Sequence, residues 1–245
     1  LPIFEFSEVL DAAISEDGTS TIPNYSFITN PQRISADFAT LKSLSGQRTI
    51  HAIVDQKLFA NVDQDEVREI ASGIERKHGV DIRLVGVPNS VGGILAALPA
   101  SAQAVYVSTL PRLVPAERKK LFEALSKRGL LNFSLVGLPD VRLGAIAGLA
   151  PDSADAVAKR AALNAPQILL GVNTNALPVY LPVEDQLTIN LASCELSGWF
   201  PDYETFLTAS FIGERPFDRG ERLTLEKAMG LAREGNIDVK IQALQ

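Results

Sequence analysis

From about residue 46 to residue 171 the chain alternates short apolar runs with amphipathic ones, and this alternation limits the folds open to it. Residues 49–54, Thr-Ile-His-Ala-Ile-Val, read as a strand. Residues 63–78 read as a helix, with Val67, Ile70, Ala71 and Ile74 at helical spacing and Gly79 just past the end. A second strand is expected at 81–87, a short helix at 90–98 and a third strand at 103–107. Residues 115–127 form a helix that opens on Pro115, turns Leu121, Phe122 and Leu125 inward and stops at Gly129. Strands follow at 132–136 and 144–149. Asp152 then caps a long helix that runs to Leu170 and ends at Gly171. Strands too short to span anything alone, each followed by a helix, predict a parallel sheet covered on both faces. Right-handed crossovers make it a three-layer, Rossmann-like α/β lobe.

The flanks do not continue the pattern. Residues 1–45 hold a strand-like opening (Leu-Pro-Ile-Phe-Glu-Phe), a polar stretch at 16–21, an extended run at 22–28 and a helix near 32–44. The abrupt opening suggests a processed or truncated chain. Residues 213–222, Gly-Glu-Arg-Pro-Phe-Asp-Arg-Gly-Glu-Arg, read as a linker. Residues 223–244 read as an amphipathic helix carrying Leu225, Ala228, Met229, Leu231 and Ala232, interrupted at Gly235-Asn236. Four parts result: 1–45, 46–212, 213–222 and 223–245.

A net charge of −6 without any block of Lys or Arg points away from nucleic acid and from a membrane surface. No stretch approaches the ~20 apolar residues of a membrane span, and no signal-peptide pattern occurs in these residues. Cys194 is the sole cysteine, which excludes an intrachain disulfide. His51 and His78 lie in different elements, too few and too separate for a zinc site. Cys194 falls in an apolar helical pattern, as a core residue does. His51, mid-strand, is expected to pack or to lie at an edge. No G-x-S-x-G, H-E-x-x-H, P-loop or dinucleotide fingerprint occurs. The sequence therefore reads as non-enzymatic, with no cofactor.

In parallel α/β sheets, ligands gather beyond the carboxyl ends of the strands. That rule selects Asp55 and Gln56, then Pro88, Asn89 and Ser90, then Ser108 and Thr109, then Asp140. Ser90 either caps the helix it precedes or helps that helix hold an anion. Asp140 is read as an exposed turn carboxylate that pairs with a ligand amine or with Arg142. Trp199 and Phe200, before Pro201, are expected to anchor the final segment.

Residues 177–212 are the most idiosyncratic part of the chain, opening Leu-Pro-Val-Tyr-Leu-Pro-Val-Glu-Asp-Gln-Leu-Thr-Ile-Asn-Leu-Ala, then Ser-Cys-Glu-Leu-Ser-Gly-Trp-Phe-Pro. An extended Pro-flanked strand followed by Leu-Thr-Ile-Asn-Leu-Ala resembles the closing segment of ABC-transporter substrate-binding-protein-like domains with a type I periplasmic-binding fold. Ala-Gln-Ala-Val-Tyr-Val-Ser-Thr at 102–109 looks like that family's strand ending in a ligand-side loop. The resemblance covers residues 20–212. It implies a complete second lobe and a first lobe represented only by its last elements. Ser108 and Thr109 then fall where such proteins place polar ligand contacts, although Leu110-Pro111 makes this loop less polar than theirs. Asn24 and Tyr25 then line the interlobe side, or Tyr25 simply packs.

Residues 221–245, opening Glu-Arg-Leu-Thr-Leu-Glu-Lys-Ala-Met-Gly-Leu-Ala-Arg-Glu-Gly-Asn-Ile-Asp-Val-Lys, resemble the opening helix of TolC-type outer-membrane efflux proteins. Together the two resemblances imply a periplasmic small-molecule-binding or sensing domain ahead of an efflux channel, outer-membrane-associated in the full-length protein. They leave open an adaptor module with a degraded cleft that contacts efflux partners.

Overall fold

The computed structural model describes residues 14–15, 17–28, 34–60, 63–149, 154–179 and 185–213. The chain falls into two compact units, Leu1–Gly213 and Glu214–Gln245, and the described residues belong to the first. Residues 214–222 of the linker, the 223–245 segment, the opening strand at 1–6, Asp152 and most of the Pro-flanked strand at 178–183 lie outside them.

The described helices and strands alternate as the apolar pattern predicts. They are α1 (Ile34–Ser45), β1 (Thr49–Asp55), α2 (Gln56–Phe59), α3 (Gln64–His78), β2 (Asp81–Val87) and α4 (Val91–Ala97). There follow β3 (Ala104–Val107), α5 (Pro115–Lys127), β4 (Leu131–Ser134), α6 (Leu138–Arg142) and β5 (Ala147–Gly148). The last group is α7 (Ala154–Leu169), β6 (Thr188–Asn190), α8 (Leu191–Ser197), α9 (Tyr203–Thr208) and β7 (Ser210–Ile212).

Local chemistry sets the helix ends. The Ser90 hydroxyl accepts a hydrogen bond from the Gly93 N–H at 3.2 Å, so its role is the cap of α4. Arg76, Lys77 and His78 close α3 where the helix dipole is negative. Gly79 and Gly129 end α3 and α5 at φ +64° and +71°, a conformation other residues avoid.

One seven-stranded sheet results, in the order β2-β1-β3-β4-β5-β6-β7. All neighbours are parallel except β5 and β6. Alternation along the strands feeds two cores. Ile53, Val105 and Val107 meet Ile94 of α4 and Leu121, Phe122 and Leu125 of α5. Ile50, Ala52, Ala104, Tyr106, Leu131 and Phe133 meet Phe38 and Leu41 of α1, Ile74 of α3 and Cys194 of α8. Burying each large apolar side chain contributes about 1.5–3 kcal/mol, which is why two helical layers hold so short a set of strands.

Three expectations need correction. Residues 22–28 do not form an extended strand: the Tyr25 N–H donates to the Ile22 carbonyl at 3.2 Å, and Asn24 adopts φ +57°. Pro23-Asn24 is a turn pair, and the turn outweighs the apolar composition. The strand expected at 144–149 shrinks to β5, because residues 138–144 are spent on α6 and its turn. Phe200 does not anchor: it is 56% exposed, and Trp199 alone ties the segment down, donating its indole N–H to the Leu44 carbonyl at 3.2 Å.

Candidate functional site

Strand order reverses at β1. The chain moves from β1 outward to β2, then returns to place β3 on the other side of β1. In parallel sheets the loops after two such strands leave in opposite directions, and the ligand side is expected at a crevice beyond their carboxyl ends.

Asp55 ends β1 at this crevice. Its Oδ1 accepts from the backbone N–H groups of Lys57 and Leu58 at 2.9 and 3.2 Å, capping α2. Arg112, from the β3–α5 loop, grips the same carboxylate with Nε on Oδ2 at 2.7 Å and Nη2 on Oδ1 at 2.5 Å. The Asp55 side chain is 3% exposed and that of Arg112 is 31% exposed. Burial raises the Asp55 pKa, but the bonds from Arg112 and the two backbone N–H groups outweigh it and hold the carboxyl below its usual range. Arg112 is correspondingly held more firmly protonated by its bond to Asp55.

A second pair lies beyond β4. Asp140, on α6, is 1% exposed. Its Oδ1 accepts from Arg118 Nη1 of α5 at 2.7 Å, and its Oδ2 accepts from the Ser134 hydroxyl at 2.7 Å. Burial pushes its pKa up, and the Ser134 and Arg118 contacts only partly oppose this. The exposed turn carboxylate expected from the sequence is thus a buried one. Its cation comes from 22 residues upstream on α5, whereas Arg142 is exposed. Arg118 Nε is buried without a hydrogen-bond partner.

The other residues selected from sequence scatter. Asn89 is exposed at the end of β2. Ser108 and Thr109 are half-buried after β3; the Ser108 N–H extends the sheet to the Ile53 carbonyl at 3.1 Å, and its hydroxyl reaches only the Thr109 carbonyl at 3.4 Å. Asn89 and Ser90 follow β2, Ser108 and Thr109 follow β3, and Asp140 follows β4. Tyr25 belongs elsewhere: it is 40% exposed, its ring tilts against Phe27, and its segment is tied down by Asn175, whose Nδ2 donates to the Ser20 and Ile22 carbonyls. Arg112 is the site residue the sequence reading missed. The strand-end rule that selected Ser108 and Thr109 would have found it four residues further along the same loop.

An open hollow of about 490 Å³ lies at the opposite, amino end of the strands, lined by Leu95, Leu98, Pro99, Ala102, Arg128 and Leu130. Arg128 is committed there to the Leu95 carbonyl at 2.7 Å. The topology favours the carboxyl edge over this hollow as the ligand side.

The other reactive side chains are structural. Cys194 is buried and its thiol is pushed up to about 12 by burial. His51 is buried in β1, and burial, followed by Arg83, lowers its pKa against the opposing effect of Asp81. His78 Nε2 shares a hydrogen bond with the Ser35 hydroxyl at 2.8 Å. No helix among the described residues is long and apolar enough to cross a membrane.

The fold is similar to that of several solved proteins, a substrate binding protein among them. A conserved domain protein from Vibrio cholerae superposes with TM-score 0.63 at 16% identity, over 77% of this chain and 62% of its own. An ABC domain from Streptococcus, solved in complex with L-Trp, gives TM-score 0.63 at 14% identity, over 81% of this chain and 68% of its own. A substrate binding protein with adhesive properties from Clostridium difficile, in its ligand-free open form, gives 0.57 at 14% identity, over 84% and 68%. The chain thus spans about two thirds of the length of these proteins, and at such identities the likeness is one of fold. No family model and no curated protein matches the chain.

Proposed function

We propose that the chain is a non-catalytic, extracytoplasmic domain of the periplasmic-binding type that binds or senses a small molecule at the crevice between β1 and β3. The observation that carries this reading is the strand-order reversal at β1, with the Asp55–Arg112 pair fixed at its mouth. Two of the similar structures are described as an L-Trp complex and a substrate binding protein, which supports a small organic ligand. Association with an outer-membrane efflux protein rests on the sequence of residues 221–245, outside the described residues.

The test is calorimetric titration of the intact protein with amino acids, sugars and aromatic compounds. Micromolar binding of any of them, weakened by Arg112→Gln, is the expected result. No binding across the panel overturns the reading.

One observation favours a second reading, an adaptor that contacts efflux partners. Leu163, Leu169 and Leu170, on and just after α7, are 60, 86 and 84% exposed, and Tyr203 and Leu207 of α9 are 77 and 65% exposed. Exposed apolar side chains on these two helices are what a partner surface would cover. Co-purification of a partner protein, lost on Leu169→Asp/Leu170→Asp, together with a silent ligand panel, would select it.

A further inference from the structure

Both buried carboxylates at the carboxyl edge are already paired with an arginine, and this limits the chemistry of what can sit there. Asp55 is saturated: Oδ1 accepts three bonds and Oδ2 accepts one. Asp140 accepts from Ser134 and Arg118. Each buried carboxylate thus already carries a cation, and a ligand ammonium would compete with a charge-assisted bond that contributes roughly 1.5–3 kcal/mol.

The guanidinium groups are not saturated. Arg112 commits Nε and one N–H of Nη2 to Asp55. A guanidinium is planar and carries five N–H groups. With its Nε–Nη2 edge turned to Asp55, its Nη1–Nη2 edge remains open, and the side chain is 31% exposed. Asp55 holds one edge and offsets part of the positive charge that an incoming anion would meet at the other. Arg118 uses a single N–H on Asp140, and its Nε lies buried and unbonded.

We propose that the ligand of this site bears a carboxylate, which docks bidentately on the Nη1–Nη2 edge of Arg112 while Asp55 holds the opposite edge. The inference rests on the ligand-binding reading above and deepens it. Glu117, exposed on the first turn of α5, is the acid that an amine ligand would have to use instead.

Calorimetry with matched acids and amides on the intact protein tests the proposal: L-amino acids against their amides, and aromatic acetates against aromatic acetamides and ethylamines. The acids should bind at least tenfold more tightly than their amides. Arg112→Gln should remove that preference and leave the amides unchanged. Because Gln leaves Asp55 buried without its cation, Asp55→Asn is the second variant. Asn keeps an oxygen to cap α2 and releases Arg112, so acids should bind several-fold more tightly. Opposite signs from the two substitutions would not follow from loss of packing. Amides or amines binding as well as acids, or both variants shifting acid affinity alike, overturns the carboxylate assignment and leaves ligand binding intact. Silence from acids, amides and amines overturns the carboxylate assignment, and silence from sugars as well overturns ligand binding.

Discussion

Asp37 should make the stability of this domain fall as pH rises through neutrality. It sits on α1, 5% exposed, beside Phe38, whose ring lies 4.6 Å from that of Tyr106. The Tyr106 hydroxyl donates to its Oδ2 at 2.7 Å. Burial raises its pKa from 3.8 to about 7; the Tyr106 bond opposes this and the nearby charge of Asp185 adds to it. A carboxyl with a higher pKa folded than unfolded binds its proton more tightly in the native state. Its stabilising contribution is therefore complete below about pH 4 and is lost as pH climbs through about 7. The difference between 3.8 and about 7, at about 1.36 kcal/mol per pH unit, amounts to about 4 kcal/mol. Asp37→Asn retains an oxygen for Tyr106 and cannot ionise, but it brings an amide N–H₂ into an apolar setting at a cost of about 1–3 kcal/mol. The variant should be less stable than wild type at pH 5 and as stable or more so at pH 8.5. Urea unfolding followed by Trp199 fluorescence measures this, since the single tryptophan is bonded to Leu44 of the same helix. If the stability difference between the two proteins is constant from pH 5 to 8.5, the assignment of a proton to Asp37 is wrong.

Cys194 should ignore a thiol-reactive disulfide reagent at pH 8 in the folded protein and titrate as one equivalent in urea, because burial pushes its thiol up to about 12; rapid labelling of the native state would contradict the packing of α8. Gly148→Ala should cost about 1–3 kcal/mol, since the added Cβ would lie 2.7 Å from Gly137 Cα and 3.1 Å from the Ser134 carbonyl, both backbone atoms that cannot swing away; an unchanged melting temperature would show that β5 can shift. Phe122→Ala, at a site with no exposure between α5 and the sheet, should cost about 3–5 kcal/mol, read as a loss of roughly 10 °C in melting temperature, and a loss under 3 °C would mean the cavity collapses.

The parallel part of the sheet was legible because each apolar run carries its own punctuation: Ser90 at a helix start, Pro115 at another, Gly79 and Gly129 at ends. Strand order was not, since it depends on pairings such as Ala147 with Ile189, which no local pattern encodes. β6 and β7 are three residues each, too short for a period to show. β6 also passes straight into α8, whose cap is the strand's own last residue, Asn190, accepting from Ser193 N–H at 3.2 Å. At the site, Asp55 could be picked as a strand end, but its partner lies 57 residues away in a loop with no periodicity. The sign of a lone charge can be read from sequence; which opposite charge reaches it is set by how α5 lies on the sheet. That is why Asp140 invited Arg142 and instead received Arg118.

The segment 187–192, distinctive as sequence, has a physical task in the fold. β6 shares only two residue pairs with β5, too few for a ladder to fix it. Side chains make up the difference. Asn190 Nδ2 donates to the Val141 carbonyl at 2.8 Å, and the Ser193 hydroxyl donates to the Gly144 carbonyl at 2.9 Å. From the other side, Asn132 Oδ1 accepts from Ile146 N–H at 2.9 Å while its Nδ2 donates to the Ser126 hydroxyl of α5 at 3.1 Å. Residues 141–146 are thus held between β4 and the β6–α8 corner by buried polar groups, each costly to leave unpaired. Asp140 stands at the start of that held stretch and receives Ser134 and Arg118. The corner that closes the sheet is therefore also what fixes α6 beneath the carboxyl edge, so a lesion at Asn190 should loosen Asp140 before it touches β1 or Arg112.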